Sequence, residues 1–138
     1  MSQRFPYDRT KVPPAAVLPV KVAGAGGRGD AVSPALVDTG ADMSVIPVRL
    51  ARDLRLPVVG ELRVRGVTGS ERVLLYGVEL EIAGIRVPVQ AAGIGTQMLV
   101  GRDVLNRWTL RFRGPEETLE VETAAAGPGA GGPSSTGG

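Results

Sequence analysis

One stretch of this chain combines residue types that could do acid–base chemistry: Ala35-Leu36-Val37-Asp38-Thr39-Gly40-Ala41-Asp42. An apolar run ends on a carboxylate, followed at once by a hydroxyl and a glycine. This order places a single acid at the end of a buried strand, on a tight turn with hydrogen-bond donors close by. A carboxylate there is costly to bury unless it is paired or hydrogen-bonded. Asp, Thr and Gly also suit an ordinary strand-to-turn exit, so the triplet alone leaves both readings open. Asp38-Thr39-Gly40 occurs once in 138 residues, and nothing suggests an internal repeat.

Composition narrows the chemistry. There is no histidine and no cysteine. This removes Ser-His-Asp and Cys-His nucleophilic catalysis, thiolate chemistry and nearly all zinc sites. Proton transfer falls to Asp, Glu, Lys, Tyr or Arg, and neither a metal nor a cofactor is expected. The net charge is +2, from 16 basic and 14 acidic residues, and the basic residues are spread along the chain. Without a basic block, no nucleic-acid partner is expected. No apolar run approaches the roughly 18 residues that span a bilayer. The start, Met1-Ser2-Gln3-Arg4-Phe5-Pro6, has no apolar signal-peptide core. The expectation is a cytoplasmic protein without a membrane span.

Two further motifs bear on the acid. Met98-Leu99-Val100-Gly101-Arg102-Asp103-Val104-Leu105 is an apolar run that reaches a glycine and then a helical turn. A glycine there would let another backbone approach closely. Val64-Arg65-Gly66-Val67-Thr68-Gly69-Ser70 reads as a glycine-flanked hairpin tip between two strand-like runs. It fits a plain β-hairpin. It also fits a mobile lid whose backbone meets an extended ligand.

The elements that must position these motifs are mostly short Val/Ile/Leu-rich runs with Gly and Pro between them. Strands are predicted at Ala16–Val22, Ala31–Val37, Glu61–Val67, Arg72–Ile82, Arg86–Ala92, Met98–Val100, Thr109–Phe112 and Thr118–Val121. Short helices are predicted at Pro47–Leu54, with proline at its start, and at Arg102–Arg107. Many strands and few helices indicate an all-β barrel or sandwich. Residues 1–12 are expected to be a flexible segment and 13–122 the folded domain. Residues 123–138, almost wholly Ala, Gly, Pro, Ser and Thr, are expected to be a disordered tail. A domain of this size is small for a self-sufficient core, so association would help it.

Taken together, the motifs resemble a retropepsin, the single-lobe, retroviral-type aspartic protease. The match runs in order through Leu36–Asp42, the flap-like Gly66-Val67-Thr68-Gly69, Leu80–Gly84, Leu99–Leu105 and Thr109–Phe112. The resemblance implies a closed β-barrel of the single-lobe acid protease type, with one or two short helices and a flap hairpin, active as a homodimer. It implies that Asp38 of each subunit supplies half of a catalytic pair. Thr39 would brace the two active-site loops, Gly40 would contact the substrate backbone, and Gly66, Val67, Thr68 and Gly69 would form the flap. Asp42 would pair with Arg102. Val67, Ile94 and Leu99 are candidates for the substrate groove, whereas Trp108 and Phe112 suit a core or interface. A Gly/Ala/Arg-rich, lysine-poor composition points to a bacterial member.

Two departures stand out. Met43–Val59 is longer than in the viral enzymes. A strand-like Pro115–Glu122 follows Thr109–Phe112, near which the viral chains end and build their dimer sheet. The resemblance implies peptide hydrolysis by two carboxyls that share a proton, as aspartic-protease dyads are known to do. Ala41 stands where some relatives carry serine. Serine could donate a hydrogen bond that favours the ionised pair; alanine cannot, so activity is expected to extend to weakly acidic or near-neutral pH. Two other readings stay open: a non-catalytic retropepsin-like dimerisation or peptide-binding module, and a structural β-domain in which Asp38 is a turn residue.

Overall fold

The computed structural model describes residues 1–24 and 30–123. The fold is built mainly from strands, which form a seven-stranded and a three-stranded sheet with two short helices.

The larger sheet begins with β2 (Val17–Ala23) and β3 (Asp30–Val37), which pair antiparallel. In β2 the period-two pattern is plain: Leu18, Val20 and Val22 are fully buried, while Pro19 and Lys21 face water. Next to β3 lies β8 (Leu99–Val100), then β4 (Val45–Ile46), β7 (Ile85–Gly93), β6 (Gly69–Ile82) and β5 (Val58–Gly66). β2 also pairs with β6, through Val20↔Ile82, Lys21↔Glu81 and Val22↔Leu80. That pairing closes the sheet on itself, as the expected barrel requires. Its interior is filled by Leu18, Val20, Val22, Ile46, Leu80, Ile82, Val87, Met98, Val100 and Val104.

The turns follow local chemistry. β6 and β7 are joined by Ala83-Gly84, both with positive φ (53° and 79°), a type I′ pattern suited to tight hairpins. At the other end of β6, Gly66 pairs with Gly69 across Val67-Thr68. Here the left-handed conformation falls on Gly69 (φ 127°). Helix α1 (Val48–Asp53) starts after Pro47 and buries Ala51; α2 (Arg102–Leu105) follows Gly101 and buries Val104 and Leu105.

The smaller sheet has the order β1 (Ser2–Pro6), β10 (Thr118–Glu122), β9 (Thr109–Arg113), all antiparallel. The N-terminal segment, expected to be loose, is therefore a paired strand over Ser2–Pro6. Its sequence has one large apolar residue and ends in proline, so period-two reading finds little. Its pairing comes from β10, far along the chain, where Leu119 and Val121 are fully buried. The segment that continues beyond Thr109–Phe112 becomes β10 and lies between β1 and β9, leaving those two as the sheet's edges. On the outer face Glu120 meets Arg4 (2.8 Å), Arg113 (3.1 Å) and Arg111 (3.8 Å). The predicted tail lies outside the described residues except for Thr123, whose backbone N–H donates to the Met1 carbonyl at 2.9 Å.

Candidate active site

Parallel pairing of β3 with β8 aligns Leu36 with Leu99 and Val37 with Val100. The residues that leave these strands, Asp38 and Gly101, are thereby brought together, although many positions separate them in the chain. The Asp38 N–H donates to the Val100 carbonyl at 3.0 Å, which extends the ladder one step past β3. The Asp38 side chain is half-buried, whereas Thr39 and Gly40 are exposed.

Within the turn, the Gly40 N–H donates to Asp38 Oδ1 at 3.0 Å, and the Ala41 N–H donates to the Asp38 carbonyl at 3.2 Å. A Cβ on Gly40 would sit 3.3 Å from Asp38 Oδ1. Glycine there leaves the carboxylate unobstructed. The half-buried acid is thus hydrogen-bonded, which lowers the cost of partial burial.

The turn is clamped from β8 and α2. The Arg102 N–H donates to the Ala41 carbonyl at 2.9 Å. The Arg102 guanidinium donates through Nη1 to the Thr39 carbonyl at 2.9 Å and through Nη2 to Asp42 Oδ1. Asp42 and Arg102 are both substantially exposed, and such pairs contribute only about 0–1 kcal/mol. The fork to Thr39 and Asp42 serves more to fix the loop's shape than to stabilise the fold.

Gly101 has an extended φ of −99°, so its role is space and not backbone conformation. A Cβ there would stand 2.7 Å from both the carbonyl carbon and oxygen of Met43, and 2.9 Å from the Ala41 oxygen. This is the close backbone approach that a glycine between the apolar run and the helical turn allows.

One part of the clamp escaped sequence reasoning. Ser44 is fully buried, and its hydroxyl donates to Asp103 Oδ1 at 2.8 Å while its N–H donates to Oδ2 at 3.0 Å. The Gly101 N–H then donates to Ser44 Oγ at 3.1 Å. A buried serine with all of these bonds made locks Asp42–Ser44 against the start of α2. The only sequence signal was an acid in the first turn of a very short helix. Nothing local links it to a serine 59 residues away.

The flap candidates lie at the tip of β5–β6. Val67 and Thr68 form the turn, with Gly66 and Gly69 as the last pair. Residues 61–72 are exposed throughout, so the hairpin projects with water on both faces. Tyr76 is buried in the core, with its ring against Gly93, where a Cβ would come within 2.6 Å. Leu99, beside Asp38's strand, is partly buried, and Ile94 is 44% exposed. Trp108 packs on the core, while Phe112 is 47% exposed on β9. Among the described residues, no group of three or more Asp or Glu side chains is placed to hold a metal ion. No helix of these residues is long and apolar enough to cross a membrane.

A closed single-lobe β fold with a glycine-flanked hairpin and an Asp-Thr-Gly turn at a strand end is the fold of retropepsin-like aspartic proteases. The family model for the gag-polyprotein putative aspartyl protease matches residues 19–107, and the chain belongs to that family. Its fold is similar to that of a retropepsin-like aspartic protease from Rickettsia conorii: TM-score 0.62, 16% identity, 91% of this chain and 94% of that one covered. It is also similar to the Simian Foamy Virus (mac) protease, with TM-score 0.52, 15% identity, and 65% and 91% coverage. An inhibitor complex of EIAV protease aligns with TM-score 0.50 and 23% identity over 67% of this chain and 86% of that chain. Comparison with curated proteins by sequence finds no match.

Proposed function

We propose that this protein is a homodimeric aspartic endopeptidase in which Asp38 of two copies forms the catalytic pair. One observation carries the reading. Asp38 sits on a rigidly bonded turn as a lone half-buried carboxylate, and its nearest acid in the chain, Asp42, is committed to Arg102. A second catalytic carboxyl then has to come from a second copy of the same turn.

Two such carboxyls about 3 Å apart cannot both ionise, so one stays protonated at working pH. The ionised member takes a proton from a water molecule, which attacks the scissile carbonyl carbon. The protonated member hydrogen-bonds to the carbonyl oxygen and then supplies a proton as the C–N bond breaks and the amine leaves. The two copies are equivalent, so either Asp38 can take either role. Thr39, exposed in the turn, would meet its counterpart and brace the two turns. Gly40 exposes backbone to an extended peptide. The hairpin tip Gly66-Val67-Thr68-Gly69 closes over that peptide.

This reading is tested by Asp38→Asn in the purified protein, assayed against a peptide library. Asparagine keeps the shape but can neither ionise nor share a proton, so hydrolysis should vanish while folding and self-association persist. Peptidase activity that survives the change overturns the reading.

A further inference from the structure

Strand pairing fixes which flap side chains look toward the Asp38 turn. In the β5–β6 ladder Val64 lies opposite Glu71, and Leu62 opposite Val73. Cross-strand partners share a face, and alternate residues along a strand share it too. Leu62, Val64, Glu71, Val73 and Leu75 therefore lie on one side of the hairpin. The base of that side is anchored: Val73 and Leu75 are buried with Ala92, and Met43 and Val45 pack against them. Met43 adjoins Asp42, and its carbonyl lies against Gly101. This face is thus continuous with the surface that carries Asp38.

The other face bears Glu61, Arg63, Arg65 and Arg72, with Arg72 and Glu61 3.7 Å apart. The hairpin's arginines all point away from the site. Glu71 stands alone on the site face, exposed, among Leu62, Val64 and Val73. Among the described residues it has no ion-pair partner.

We propose that Glu71 is a specificity-determining residue, which makes the groove under the flap select extended peptides that carry a lysine or arginine beside apolar residues. The inference rests on the peptidase reading above. When the hairpin closes on a peptide, water leaves the apolar underside. A carboxylate stranded there loses solvation, and a cationic side chain restores what was lost. An apolar side chain in the same place leaves the carboxylate unpaired, so attraction and penalty both favour the basic peptide.

Peptides that differ only by lysine or norleucine at each position around the cleaved bond test this. At one position wild type is expected to favour lysine about tenfold in kcat/KM. Glu71→Gln brings that ratio close to one, and Glu71→Lys turns the preference toward glutamate at the same position. An unchanged ratio in Glu71→Gln overturns the proposal. Binding of the same peptides to Asp38→Asn protein is measured in parallel by fluorescence anisotropy. Lysine preference in binding, with no cleavage by wild type, would remove the catalytic reading and leave the Glu71 subsite standing. Cleavage with no lysine preference would remove the subsite and leave catalysis standing.

Discussion

The Asp38 turn and the flap hairpin are held in opposite ways. The turn is tied by Asp38 N–H to Val100, by Arg102 N–H to Ala41, by the Arg102 guanidinium to Thr39 and Asp42, and by Ser44 to Asp103. From residue 61 to residue 72 the hairpin has its own ladder, a long Arg72–Glu61 contact and water on both faces. The difference matches what each does in the proposed reaction. A reacting carboxylate must be fixed to within a fraction of an ångström. A lid must let an extended chain in and out, so it belongs to the low-stability end of the structure.

The largest expected effect is at the tightest point. Gly101→Ala would force a Cβ to 2.7 Å from the Met43 backbone, which cannot swing aside as a side chain would. Overpacking of this kind is expected to cost about 3 kcal/mol or more, seen as a sharp fall in thermal unfolding temperature. A fully stable Gly101→Ala protein would mean that the turn is far softer than its bonds imply. Next is Asp103→Ala, which removes both acceptors from the fully buried Ser44. A loss of about 1–3 kcal/mol is expected by chemical denaturation, and activity should fall with it as Asp42–Ser44 loosens.

Val67→Ser at the flap tip should behave differently. Val67 is fully exposed, so stability should change by no more than about 0.5 kcal/mol. kcat/KM should nevertheless fall, because in the proposed reaction the tip meets the peptide through this apolar side chain. A large stability loss at Val67 would erase the contrast between the two regions.

The smallest effect concerns the terminal sheet. Burial alone would raise the Glu120 carboxyl, but the close Arg113 charge and the hydrogen bond and charge of Arg4 outweigh it and hold the group below its ordinary value. A carboxyl lowered in the folded state stabilises it above the ordinary glutamate range and loses that contribution as pH falls through the folded-state value. Glu120→Gln should therefore narrow the difference in unfolding temperature between neutral and strongly acidic pH. An unchanged difference would show that the arginines around Glu120 do not act on its ionisation.

How legible this was in the sequence follows the same divide between local and distant causes. Asp38 and Gly101 were legible because each ends an apolar run on a residue type with a local reason to be there. The hairpin tip and the helix after Pro47 announced themselves through glycine and proline. β1 did not, since Ser2–Pro6 becomes a strand only because β10 supplies its partner. β4, two residues long, leaves no period to read. The Ser44–Asp103 lock depends on parallel pairing of β3 with β8, which no local pattern encodes. β10 was legible as a strand, but its place between β1 and β9 was not.

The central claim is that the Asp38 turn is half of a site and that each half comes from a different chain. Co-refolding wild type with Asp38→Asn in equal amounts tests it most directly. If both carboxyls are required and subunits pair at random, about one quarter of the dimers carry two and activity falls to about a quarter of that of an all-wild-type sample. Activity that falls only in proportion to the wild-type fraction, to about half, would mean that each chain works with its own carboxylate alone, and would contradict the claim.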